Sequence, residues 1–290
     1  MTLLRSAQEC MVRRGKAVEN LVLLERPDLL PLFSTYQNEA LEARKLLDSN
    51  LNKLETHSEI LEVGGGILAL TVQLASEGFR VTTVEPVGEG FSNVALLMNM
   101  YLRIAEQENI RFNFIDSPIE NSQFQSKFDF IFSINVMEHL KDPYSVVVHL
   151  MKYLKNSGKI RFFCPNYDFP YEPHFQRWLF TRRDEAFYLP SSRAESKLID
   201  AAEWANVHRS LNFITLSKIE KFLTKANISY TFNKKALRNL VQRSLVDAQL
   251  QNRHKLLSYG IKFVVKFKMI RLVNLLPKKF WPVIDIEIFH

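Results

Sequence analysis

Cysteine is nearly absent from the 290 residues: only Cys10 and Cys164 occur, far apart in the chain. That scarcity argues against a disulfide framework and leads us to expect a reduced, cytoplasmic setting. No run approaches roughly 18 uninterrupted apolar residues, which argues against a membrane-spanning helix. The opening stretch MTLLRSAQECMVRRGKAVEN scatters its charges and lacks the apolar centre of a secretory signal. His, Cys, Asp and Glu fall at no spacing that suggests a metal site. Acids are missing between Asp247 and Asp285, where Arg253, Lys255, Lys262, Lys266, Lys268, Arg271, Lys278 and Lys279 accumulate within a net charge of +7. This basic segment, 253–279, suits peripheral contact with an anionic membrane or a phosphorylated compound, and equally a solvated helix. Its lysines spread around the helical wheel without the single apolar face of an interfacial helix.

Hydrophobic residues at 47% and charged residues at 24% give an ordinary globular balance with a packed core. The length allows one large domain, or one with an appended cap. Residues 1–55 read as an N-terminal helical segment, with Leu41, Leu46, Leu47, Leu51 and Leu54 at helical spacing. From there short apolar runs alternate with helical patterns. Strands are expected at 59–63, 79–85, 110–116, 127–135 and 159–166. Helices are expected at 68–78, 90–109 and 142–158, the last beginning at Asp142-Pro143. This alternation predicts an α/β fold with a doubly wound parallel sheet, whose ligands bind beyond the carboxyl ends of the strands. A core at 56–166 is followed by a proline- and aromatic-rich lid at 167–214. The remainder, 215–290, reads as a helix capped by Thr215, a strand at 228–233, a helical insertion at 235–275 and a strand at 282–289.

The stretch ILEVGGGILALTVQLASEGFRVTTVEP, 60–86, carries the chemistry. Consecutive glycines after a strand let the backbone turn sharply and approach a ligand closely, and the next helix adds positive charge at its N-terminus. Gly64, Gly66 and Ala69 fit a dinucleotide fingerprint, and Glu85 stands 19 residues after Gly66. That pattern alone also fits an NAD(P)-dependent oxidoreductase. Glu62, two residues before the first glycine, discriminates. With it the sequence resembles the class I S-adenosylmethionine-dependent methyltransferases, whose first motif is acid-x-Gly-x-Gly. Leu68 departs from the pattern, standing where many members have a third glycine. A catalytically inactive methyltransferase-like binding protein is the other alternative.

The resemblance implies a Rossmann-like, mostly parallel sheet of about seven strands, with 282–289 antiparallel. It also implies S-adenosyl-L-methionine as donor. Gly64, Gly65 and Gly66 would cradle it, Glu62 would stand beside them, and Glu85 would hold the ribose. Asp116 and Ser117 would approach the adenine, and Asn135 the methionine end. The stretch FDFIFSINVMEHLKDP is similar to the small-molecule branch that includes quinone-precursor methylases.

On the acceptor side His139 reads either as a general base or as a hydrogen-bonded loop anchor. His174, in a loop set by Pro165, Pro170 and Pro173, is the second candidate base, with His208 a weaker third. Glu138, Tyr167, Tyr171 and Glu172 are the candidate substrate-binding residues. The expected partner is a small-molecule acceptor, with oxygen favoured and a sugar, lipid-linked or phosphorylated compound suggested by the basic segment. The basic excess is too modest to point to nucleic acid.

Overall fold

The computed structural model describes residues 3–87, 92–169, 171–172, 177–178, 209–233 and 277–290. His174, His208, the helical insertion expected at 235–275 and the basic residues Arg253 to Arg271 lie outside them.

Two long helices, α1 (Leu3–Glu25) and α2 (Leu30–Leu51), precede β1 (Glu59–Val63), α3 (Ala69–Ser76), β2 (Arg80–Val84), α4 (Ser92–Gln107) and β3 (Asn113–Ile115). They are followed by β4 (Phe128–Ile134), α5 (Pro143–Met151) and β5 (Leu154–Pro165). A two-residue pair, β6 (Tyr171–Glu172) and β7 (Arg177–Trp178), comes next, and then α6 (Leu216–Lys225), β8 (Ser229–Phe232) and β9 (Val283–Phe289).

Seven strands form one sheet in the order β3-β2-β1-β4-β5-β9-β8. β9 runs antiparallel to both its neighbours, and the other pairings are parallel. The expected mostly parallel sheet with an antiparallel last strand is therefore present. Its central strands are covered on both faces, which is why EILEV and FDFIFSI are nearly continuous apolar runs. On one face Leu61, Val63, Ile131, Phe162 and Ile286 pack with α5 and α6. On the other, Ile60, Phe130 and Phe132 meet Met11 and Leu47 of the N-terminal helices and Leu70 and Leu74 of α3. Strand order reverses between β1 and β4, and doubly wound sheets bind ligands in the crevice beyond the carboxyl ends at such a point.

Local chemistry sets the helix starts. Asp142 caps α5, accepting from the amides of Tyr144 at 3.0 Å and Ser145 at 3.2 Å, with Pro143 as the first helical residue. Thr215 caps α6 through the Lys218 amide at 3.2 Å. One expectation needs correction: α5 stops at Met151 rather than continuing to Gly158. Tyr153 instead accepts from the Phe128 amide at 2.8 Å, which starts β5 at Leu154. Between the pairs Phe128–Leu154 and Phe130–Lys159 the register shifts. Gly158 sits in that bulge, where a Cβ would come within 2.9 Å of the Phe128 carbonyl oxygen. The third strand is also shorter than expected, at three residues. Among the described residues no helix is long and apolar enough to cross a membrane.

Candidate functional site

The backbone leaves β1 through Gly64, Gly65 and Gly66. Gly64 has φ of +87° and Gly66 +53°, conformations open to glycine at little cost. Close approach adds a second demand. A Cβ on Gly64 would lie 2.1 Å from Val136 Cγ2, and one on Gly65 2.3 Å from Thr83 Cγ2. The loop after β4 thus crosses directly over the turn after β1, joining the two loops that flank the crevice.

Leu68 takes the left-handed backbone itself, with φ of +66°, and is fully buried. Its side chain joins the cluster of Ile67, Val72 and Leu97. Strain of roughly 1–2 kcal/mol for a non-glycine residue there is offset by roughly 1.5–3 kcal/mol of apolar burial. The position where a glycine was expected keeps a glycine-like backbone while serving the core.

Two carboxylates flank the turn. Glu85, at the end of β2, accepts from the Gly66 amide at 2.9 Å. Burial pushes its carboxyl upward, and the Gly66 and Gly65 amides oppose that. Glu62 is 4% exposed and accepts from the hydroxyls of Thr71, on α3, and Thr83, on β2. Burial pushes its carboxyl up to about 7; the two threonines oppose the rise and neighbouring Glu85 adds to it.

A raised acid favours the folded state below its unfolded value. That contribution is lost as pH climbs from about 4.5 through about 7. Glu62→Gln keeps an oxygen for Thr71 but cannot ionise. The variant is expected to flatten the pH dependence of stability in this window, gaining up to about 3 kcal/mol over the parent at pH 8. Urea unfolding of both proteins at pH 5 and pH 8 measures this, and equal slopes would contradict the assignment.

The remaining candidates line the same edge. Asp116, exposed after β3, accepts from the Val87 amide at 2.7 Å and so holds the loop that follows β2. Ser117 is half-buried, with its hydroxyl 3.3 Å from the Pro118 carbonyl oxygen. Asn135 adopts φ of +56°, which asparagine tolerates, and its amide donates to Phe163 at 2.8 Å. A short turn, Met137–His139, follows. Glu138 is fully buried within it. His139 is half-buried, and its Nδ1 lies 2.7 Å from Ser210 Oγ.

Several supporting residues carried no signal in the sequence. Asn212 donates its side-chain amide to the carbonyls of Met137 at 2.7 Å and Leu140 at 2.8 Å, and its backbone amide to Glu138 at 2.8 Å. It therefore fastens the segment that leads into α6 to the turn carrying His139. Asn166 does the same work at the end of β5, joining Trp281 and Leu216 at 2.7 and 2.9 Å. Thr71 and Thr83 become visible only once α3 and β2 are folded beside Glu62.

Tyr167 lies just past β5. It is 2% exposed and packs edge-on against Phe213, with ring centroids 5.2 Å apart. Tyr171 and Glu172 contribute backbone to β6, paired with Trp178 and Arg177. Cys10 and Cys164 are both free thiols. Cys164 is 1% exposed, and burial pushes its thiol well up, with the charges of Glu138 and Asp285 adding to the effect. Among the described residues no group of three His, Cys, Asp or Glu is placed to hold a metal ion.

A glycine turn at the switch point of a doubly wound sheet, gripped by an acid from the adjoining strand, marks the α/β proteins that bind a nucleoside-bearing ligand at that crevice. Residues 35–227 match the methyltransferase domain family, and the chain belongs to that family. The resemblance to class I S-adenosylmethionine-dependent methyltransferases drawn from the motifs is borne out.

An uncharacterized protein of Mycobacterium tuberculosis is 34% identical over 252 residues, spanning 86% of this chain and 85% of that one. The ubiquinone biosynthesis O-methyltransferase of Rickettsia akari is 25% identical over 112 residues, 39% of this chain and 42% of its own length. Among solved structures, the plantazolicin methyltransferase BpumL, in complex with a triazolic desmethylPZN analog and SAH, shares the fold. It has a TM-score of 0.50 at 17% identity, covering 99% of this chain and 98% of that one.

Proposed function

We propose that the protein transfers a methyl group from S-adenosyl-L-methionine to an oxygen of a small-molecule acceptor. The observation that carries this is the Gly64–Gly66 turn, crossed by Val136 and bonded through Gly66 to the Glu85 carboxylate. The residues fit the donor. The turn lacks side chains where backbone must come close, and Glu85 offers acceptor oxygens where two ribose hydroxyls would need them. Asp116 and Ser117 suit the adenine edge; Asn135 and Glu62 suit the methionine end.

The donor supplies a sulfonium-activated methyl and a neutral thioether leaving group. The chain's own task is to align the acceptor in line with that methyl and keep water out. His139 is suited to take the acceptor's hydroxyl proton. In the tautomer with its proton on Nδ1, donated to Ser210, the lone pair lies on Nε2. Asn212 keeps the turn that carries it in place. His174, Glu172 and Tyr171, within the lid 167–214, are the acceptor-side candidates beyond it, with Glu138 and Tyr167 supporting from inside. The acid-free basic stretch 253–279 favours a lipid-linked or phosphorylated acceptor met at a membrane surface from the cytoplasm.

The test is methyl transfer from labelled donor into fractionated cell extract, followed by identification of the labelled compound. Parent protein is expected to label one class of hydroxyl compound. His139→Ala is expected to lower turnover by roughly 10²-fold or more, with donor affinity within a few-fold. His174→Ala is expected to act in the same direction. Full turnover in both variants would remove the histidines from the chemistry, and saturable NAD(H) binding without donor binding would overturn the reading.

A further inference from the structure

One aromatic residue stands at the glycine turn that no motif pointed to. Tyr36 lies on α2, and its ring carbons Cε1 and Cδ1 come within 3.4 and 3.5 Å of where a Cβ on Gly66 would be. Gly66 is the residue whose amide holds Glu85. The ring therefore rests on the same turn as the proposed ribose-binding carboxylate. It is half-buried, so part of its surface stays open.

Its position is set by its helix. Phe33, one turn earlier, is buried, and so is Gln37 next in sequence. The Tyr101 hydroxyl donates to Gln37 Oε1, while Gln37 Nε2 donates to the Met11 carbonyl at 3.1 Å. α1 meets α2 so closely that a Cβ on Gly15 would lie 2.4 Å from Gln37 Nε2. Further along, Arg44 grips Glu77 of the α3 C-terminus through Nε at 2.9 Å and Nη2 at 2.7 Å. Rolling α2 to withdraw the ring would break these buried polar contacts, each expensive to leave unmade.

We infer that Tyr36 is part of the donor site. Its ring forms the wall that α2 contributes over the Gly66 turn, contacting the bound adenosyl donor and shielding it from water. This rests on the donor assignment made under the proposed function. An aromatic ring is suited to the role because it offers a large apolar surface at low entropic cost and attracts cationic ligands to its face.

Tyr36→Cys in a Cys10→Ser background places a reactive thiol at this wall, and buried Cys164 leaves the background silent. Maleimide labelling is followed with S-adenosylhomocysteine at about ten times the variant's own Kd, and with ATP at the same concentration. S-adenosylhomocysteine is expected to slow labelling by about tenfold, the occupancy expected at that concentration, while ATP leaves it unchanged. In parallel, Tyr36→Leu is expected to weaken S-adenosylhomocysteine binding by about fivefold or more, about 1 kcal/mol, and Tyr36→Phe by about twofold at most. Binding by the parent with unprotected labelling, or with Tyr36→Leu unaltered in affinity, overturns the inference and leaves the donor assignment standing. No binding by the parent overturns both.

Discussion

Replacing Arg161 by leucine is expected to cost about 3–5 kcal/mol of stability, the range for stripping one partner from a buried ion pair. Arg161 is 1% exposed on β5 and faces α2. Its Nε and Nη2 grip both oxygens of Asp285, on β9, at 2.9 and 2.8 Å. Its Nη1 donates to the Leu46 carbonyl at 2.8 Å and to Asn50 Oδ1 at 2.7 Å. One guanidinium therefore ties α2 to two strands of the sheet. Without it, Asp285 keeps the Asn233 side-chain amide, at 3.1 Å. Burial holds the Asp285 carboxyl above its usual range even with Arg161 alongside, so the orphaned acid should take up a proton and carry part of the penalty that way. The double variant Arg161→Leu, Asp285→Leu removes both charges and is expected to recover most of the loss. Urea unfolding measures all three proteins. A loss below about 1 kcal/mol in the single variant would mean that the network contributes no more than a surface pair.

The contrast between Arg161 and Glu85 indicates what a sequence can disclose. Glu85, Asp116 and Asn135 were legible because each closes an apolar run, and Glu62 because it stands two residues before the glycines; strand ends on one edge of a parallel sheet converge by geometry. The strands themselves were legible because buried central strands have no alternative to continuous apolar runs. Arg161 gave no such signal. It sits inside KIRFFCP, where the pattern predicts an apolar or exposed residue, and its meaning comes from Asp285, 124 residues away. Tyr36 was hidden for a related reason: its helical spacing is satisfied by packing, and only the crossing of α2 over Gly66 turns it toward the site. Ser210 and Asn212 follow a segment whose length gives no hint that it returns to the turn at His139. Where the local pattern erred, at 152–158, the amphipathic look of KYLKNSG lost to strand pairing with β4.

Glu85→Ala is expected to weaken S-adenosylhomocysteine binding by more than about tenfold, since charge-assisted bonds to two ribose hydroxyls are worth roughly 1.5–3 kcal/mol each. The same change should leave the unliganded protein as stable as the parent or more so at neutral pH. The physical reason is that Glu85 is held by its burial above the ordinary carboxyl range. A group raised in the folded state contributes stability at low pH and loses it as pH rises, so removing it relieves a penalty under physiological conditions. Against that relief stand the freed Gly66 and Gly65 amides, which water at the edge of the crevice can satisfy. A side chain that weakens the apo fold and strengthens ligand binding is kept for the ligand. Glu85→Gln separates charge from shape: the Gly66 contact survives, and affinity should fall between parent and alanine. Calorimetric titration with S-adenosylhomocysteine, alongside urea unfolding without ligand, reads both quantities. Loss of affinity accompanied by an equal loss of stability would make Glu85 a structural brace of the glycine turn, and an unchanged Kd would remove it from the donor site.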